Sequence, residues 1–164
     1  VISDWLHYAI LELVKIKSFE PTPFWIAKKL NVSVHEVNAA VERLQNLKLL
    51  EVDKDGLWND LTEGFSTHII GANYTSYAHR KNQKAILEKA IEAIDHTNIE
   101  RRDQSSMMMA TSSQKIEKAK LMIKNFRREL CDFLEDCNEK DSIYQLSVSL
   151  FPLTEENKDG ESHV

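Results

Sequence analysis

The sequence predicts an α+β chain with two unlike parts, and three observations carry that prediction. Residues 23–60 combine helical periodicity, turn chemistry and a short hairpin pattern. Residues 77–137 hold two long amphipathic stretches. Residues 144–150 alternate apolar and polar side chains with a period of two. The boundaries that follow are 1–62 for a first domain, 63–76 for a linker, 77–154 for a helix-strand-helix-strand domain of dimerisation or regulation, and 155–164 for a flexible acidic tail.

In the first domain, Ser3 to Ile16 reads as a helix with Ser3 as its cap and Trp5, Leu6, Ala9, Ile10 and Leu13 on its core stripe. A second helix places Ile26, Ala27 and Leu30 inward. Leu30-Asn31-Val32-Ser33 is the turn that ends it, and Ser33 with Glu36 three residues on has the spacing of a capping box. The third helix sets Val37, Val41, Leu44 and Leu47 on one stripe with Ala40 beside them. Leu49 to Val52 reads as a strand, Asp53-Lys54-Asp55-Gly56 as a turn, and Leu57-Trp58 as the start of the returning strand. Helix, turn, helix and β-flap in this order predict a winged helix-turn-helix.

The stretch from Leu61 to Thr75, with Gly64, Gly71 and Asn73, reads as a connector. A helix follows over Tyr77–Asp95 on the stripe Ile86, Leu87, Ala90, Ile91 and Ile94. Asn98–Arg102 is a turn, and Asp103–Ala110, with Met107, Met108 and Met109 in a row, is expected to be a short buried strand. Ser113–Cys137 is the next helix, with Ile116, Ala119, Ile123, Phe126, Leu130, Phe133 and Leu134 on one face and Ser112 or Ser113 at its cap. Tyr144–Leu150 is the second strand, stopped by Pro152. Two strands make a poor sheet by themselves. A strand from a second copy would complete it, so a homodimer is expected.

Charge divides the chain as well. Residues 1–60 hold seven basic and nine acidic side chains, whereas residues 77–130 hold twelve and seven. The net charge is −5, with the excess of acid towards the end. No apolar run approaches the ~20 residues a membrane span needs, and the first residues lack the basic and apolar regions of a signal peptide. Cys131 and Cys137 are six apart on one predicted helix and face different ways, which suits reduced thiols and a cytoplasmic setting. The six histidines have no partner at zinc-ligand spacing, so no metal is implied. The chain begins at Val1 rather than Met, as a fragment of a longer protein would.

The chemistry this pattern suits best is contact with duplex DNA. A recognition helix has the width of the major groove. Asn38 is suited to adenine and Arg43 to guanine. His35 lies on the same outward face, and Lys28, Lys29 and Lys54 are placed to meet phosphate. Glu36 and Glu42 oppose this, because they face a polyanion, and the plainer reading of the lysines is a solvated surface. The basic positions from Arg80 to Arg128 could flank a duplex, but pairing with neighbouring carboxylates is their plainer role. The alternative to DNA is a protein-interaction module, for which Trp25 and Trp58 are candidate contacts. Met107 to Met109, Phe126 and Tyr144 could line a sensor pocket, although simple packing is the commoner fate of such residues. Catalysis is not expected. There are four glycines and no phosphate-binding loop, no cofactor is implied, and His7 beside Asp4 and Glu12 reads as a packing residue.

Several runs carry a family resemblance. Trp5 to Leu13, Trp25-Ile26-Ala27, Arg102-Asp103, Phe126-Arg127-Arg128 and the closing Tyr144-Gln145-Leu146 with Phe151-Pro152-Leu153 resemble a family of uncharacterised bacterial proteins. That family is grouped with transcriptional regulators in a domain-of-unknown-function class. The resemblance spans about Asp4 to Leu153 and implies a regulator's role, members longer at the amino end, and no catalytic residues to carry over. The expectation is therefore a cytoplasmic, dimeric, DNA-binding transcriptional regulator.

Overall fold

A computed structural model describes residues 4–62 and 76–154 of the chain. The described residues are mostly helical, with one small antiparallel hairpin. Helix α1 spans Trp5–Leu13, α2 Pro23–Leu30 and α3 Val34–Asn46. Strands β1 (Leu50–Val52) and β2 (Trp58–Asp60) follow, then α4 (Ser76–His96) and α5 (Ile116–Glu135). Short 3-10 turns at Ile99–Arg101 and Ser113–Lys115 lie between the last two helices. Three helices followed by a hairpin are consistent with the winged helix-turn-helix expected from the sequence.

Local chemistry explains where the first elements begin and end. Asp4 caps α1, its carboxylate accepting from the Leu6 N–H at 3.1 Å. The expected cap, Ser3, lies outside the described residues. Thr22 caps α2 by accepting from the Trp25 N–H, with Pro23 in the first turn, where its missing N–H costs nothing. Asn31 ends that helix in the left-handed region at φ 53°, a conformation Asn tolerates better than most residues. Both halves of the capping box at α3 are made. Ser33 Oγ accepts from the Glu36 N–H at 3.2 Å, and the Glu36 carboxylate accepts from the Ser33 N–H at 2.8 Å.

The hairpin register pairs Leu50 with Asp60, Glu51 with Asn59 and Val52 with Trp58. Its turn closes on the Asp53 carboxylate, which accepts from the N–H groups of Asp55 and Leu57 at 2.9 and 2.8 Å. Gly56 completes the turn at φ +80°, where a side chain would be strained.

The core is built entirely from the first part. Ile10, Leu11, Ile26, Val37 and Leu44 are fully buried, joined by Leu6, Leu13, Ile16, Ala27, Ala40 and Leu50. Burying each large aliphatic is worth about 1.5–3 kcal/mol. Leu47 departs from the expected stripe. The helix stops at Asn46, Lys48 turns the chain at φ 56°, and Leu47 is left 41 % exposed. Around the core, Phe19 takes both tryptophans edge-on, with ring centroids 5.7 Å from Trp25 and 5.7 Å from Trp58. Lys15 bridges the Glu12 and Asp60 carboxylates at 2.8 and 3.4 Å, fixing β2 to the end of α1.

The second part departs from expectation in its strands. Helices α4 and α5 form where the periodicity places them, but neither 103–110 nor 144–150 is a strand. A strand is defined by a partner, and no described residue supplies one to either segment. The residues expected to be buried there are open: Met107 is 85 % exposed, Met108 84 % and Tyr144 68 %. Ile143 packs against the edge of the core, and beside it the Lys17 N–H donates to the Lys140 carbonyl at 2.8 Å. The connector over 63–75 and the tail over 155–164 lie outside the described residues.

Candidate nucleic-acid interface

The candidate interface is the outer face of α3 with its neighbours on α2 and the hairpin turn. Burial of Val37, Ala40 and Leu44 fixes the orientation of α3 about its own axis. With about 3.6 residues per turn, the opposite crest consists of His35, Ala39, Glu42 and Asn46, all exposed. Neither α4 nor any other described segment covers that crest.

The expected site residues divide over this surface. His35 is on the crest. Asn38 and Arg43 are exposed but occupy opposite flanks, about 140° apart around the helix at 3.6 residues per turn. Arg43 lies on the α1 side, where its charge reaches His7. Lys28 lines a shallow concavity together with Phe24, Asn31, Ser33 and Val34, which brings it to the beginning of α3. Lys29 is turned elsewhere, its ammonium 5.2 Å from the centre of the Trp25 ring, a cation–π arrangement. Lys54 is exposed at the hairpin turn.

The electrostatics of this face are mixed. Glu36 is exposed, and its carboxyl is held below its ordinary value by the Ser33 hydroxyl and N–H, with smaller contributions from His35 and Lys89. It is committed to its cap and stays ionised. Glu42 stands on the crest itself. Beneath the face, His7 on α1 is buried, and neither ring nitrogen makes a well-formed hydrogen bond among the described residues, with the Asp4 main chain as a polar neighbour. Burial pushes its pKa below 6.5 against the opposing pull of Asp4, so the ring is neutral at pH 7.

Two residues passed over in the sequence belong to this surface. Phe24 is 72 % exposed beside Lys28, a position visible as the outward member of α2 once Ile26 and Ala27 point inward. Phe19 locks Trp25 and Trp58 into an aromatic cluster, so these tryptophans brace the hairpin against α2 rather than standing free as contacts. Nothing in the spacing of residues 19, 25 and 58 announces that meeting, which depends on the tertiary fold.

Residues 1–153 match the family model described as a domain of unknown function, DUF4423. The chain belongs to that family. No curated protein and no solved structure matches it. Within this DUF4423 chain, no group of three metal-ligating side chains occurs among the described residues. No described helix is long and apolar enough to cross a membrane. The Cys131 thiol is pushed up by burial and by the carboxylates of Glu135, Asp132 and Glu12, which is not the setting of an activated thiolate.

Proposed function

We propose that this DUF4423 chain is a DNA-binding, transcriptional-regulator-like protein of the winged-helix kind, with α3 as its recognition helix and its second part serving assembly. The observation that carries the proposal is the uncovered crest of a capped, rigid helix, braced on one side by α2 and followed by a hairpin. Such a rod fits the major groove, and a flap beside it meets the backbone. Lys28 at the beginning of α3 and Lys54 at the flap are the phosphate contacts, while Asn38 and Arg43 approach base edges from the two flanks. Lys29 has a smaller role, because Trp25 already holds its ammonium.

A second reading has its own support. The first 60 residues carry two more acidic than basic side chains, Glu42 sits on the crest, and Phe24 is exposed near the beginning of α3. An acidic crest with an exposed aromatic suits a protein partner better than a phosphate backbone. Fluorescence anisotropy with a library of labelled duplexes at low salt separates the two. The DNA reading expects binding that weakens as salt rises, and a loss of about 1–3 kcal/mol on selected duplexes for Asn38→Ala or Arg43→Ala. Absence of binding by the chain at low salt refutes that reading and favours the protein partner.

A further inference from the structure

We propose that the apolar face of α5 is the seam of an antiparallel, two-fold pairing with α5 of a second copy of this chain. The inference deepens one part of the functional reading, that the second half serves assembly, and is independent of whether α3 meets DNA.

Helix α5 runs for 20 residues, about 30 Å at 1.5 Å per residue, and buries none of its side chains. Among the described helices and strands its only substantial neighbour is the 3-10 turn leading into it, and on its apolar stripe Ile116, Ala119, Ile123 and Leu130 are half-buried while Phe126 and Phe133 stand open. An amphipathic helix of this kind draws its stability from whatever covers its face. Ile116, Ala119, Ile123, Phe126, Leu130 and Phe133 recur at alternating steps of three and four, the narrow stripe of a coiled-coil seam rather than the wider stripe of a helix lying on a core.

The stripe is complementary to itself in the antiparallel sense. Set against its own reverse, Ile116 meets Phe133, Ala119 meets Leu130, and Ile123 meets Phe126 beside the two-fold axis. Each layer pairs a smaller side chain with a larger one, so the volume stays even along the seam. Charge selects the same direction. Residues 115–128 hold six basic side chains and one acidic, whereas residues 129–141 hold six acidic and one basic. Antiparallel pairing brings Lys115, Lys118 and Lys120 to the end where the other copy carries Glu129, Asp132 and Glu135. Parallel pairing sets like charges together. The opposed helix dipoles favour the antiparallel arrangement as well.

Phe126 and Phe133, the largest members of the stripe, are 51 % and 74 % exposed, apolar surface that a second copy would remove from water. The exposed apolar residues of α4, such as Leu87, Ile91 and Ile94, are available to flank the seam.

Sedimentation equilibrium of the full chain tests the partner, and disulfide trapping tests the direction. The expected mass is twice 19.0 kDa, falling to the monomer with Ile123→Asp. With Cys131→Ser and Cys137→Ser in place, Ala119→Cys chains and Leu130→Cys chains are each oxidised alone, and a reduced mixture of the two is oxidised after subunit exchange. Cross-linked dimer is expected only in the mixture. Cross-linking within either variant alone, a monomer at all concentrations with α5 helical by circular dichroism, or a larger closed assembly each overturns the proposal. A monomer that still binds duplex DNA leaves the function standing without this seam, and an antiparallel dimer that ignores DNA does the reverse.

Discussion

The two parts of this molecule have similar helical content but differ in what their apolar faces meet. In residues 4–62 three helices and a hairpin converge, and eleven apolar side chains are buried among them. In residues 76–154 two longer helices carry equally clear stripes, yet no apolar side chain is fully buried and Phe126 and Phe133 are 51 % and 74 % exposed. Amphipathicity specifies a face, whereas stability needs the partner of that face. The first part has its partners inside the chain. The second gains its partner by association, if the seam on α5 is as argued above, and then the stability of the two parts depends differently on concentration.

Trp5, Trp25 and Trp58 all lie in the first part, so tryptophan emission reports chiefly on that part, although Trp5 also meets the Lys89 ammonium of α4 at 4.9 Å, while circular dichroism is weighted towards the long helices. The largest effect is expected for Leu44→Ala. Leu44 is 0 % exposed at the centre of α3, and such truncations cost about 2–5 kcal/mol. Urea titration followed by tryptophan emission should show that loss at any protein concentration. Phe133→Ala should leave the tryptophan transition in place and move the dichroism transition in a concentration-dependent way. If both variants shift both signals together, the two parts fold as one unit and the contrast fails.

A smaller effect of about 1 kcal/mol is expected for Ser33→Ala, since one half of the capping box is lost and the Glu36 N–H loses its partner. The loss belongs to the tryptophan transition only. A pH series sharpens the same contrast through His7. Its folded pKa is lowered by burial, so the unfolded chain binds the proton more readily. The stabilisation is present in full above 6.5 and is lost as pH falls through the lower folded value. Between pH 7 and 5 the tryptophan transition should move to lower urea, and His7→Phe should flatten that dependence. An unchanged slope in His7→Phe would assign the pH response to other groups, though not to the capping Glu36 carboxylate, whose lowered value places its own loss below pH 5.

Much of the first part was legible in the sequence because its signals are local. Ser33 and Glu36 are three residues apart, Asp53 to Gly56 spell a turn, and Val37, Ala40 and Leu44 share a stripe; each rests on chemistry confined to a few residues. What the sequence hid was tertiary: the seat of both tryptophans on Phe19, the hold of Lys29 on Trp25, and the separation of Asn38 from Arg43. In the second part the periods of two at 144–150 and of three and four on α5 are equally plain, but a period records only which side chains share a face. The 144–150 segment alternates as a strand would and is not one, because strand pairing requires an edge that no described residue offers.

The smallest expected effect concerns the join between the two parts. Lys17 pairs with Glu139 at 2.8 Å, and the Lys17 N–H donates to the Lys140 carbonyl beside it. Both charged side chains are more than two-thirds open to water, at 69 % and 68 %, and such pairs contribute little after solvent screening and side-chain entropy. Lys17→Ala removes the ammonium but keeps the main-chain bond and the packing of Ile143 on the core edge. The tryptophan transition should therefore shift by less than about 0.5 kcal/mol, and the dichroism transition should keep its concentration dependence. Ile143→Ala, which loosens the apolar part of the same join, should shift it more. If Lys17→Ala is the more damaging of the two, charge rather than apolar contact holds the parts together, and raising the salt concentration should then mimic the substitution.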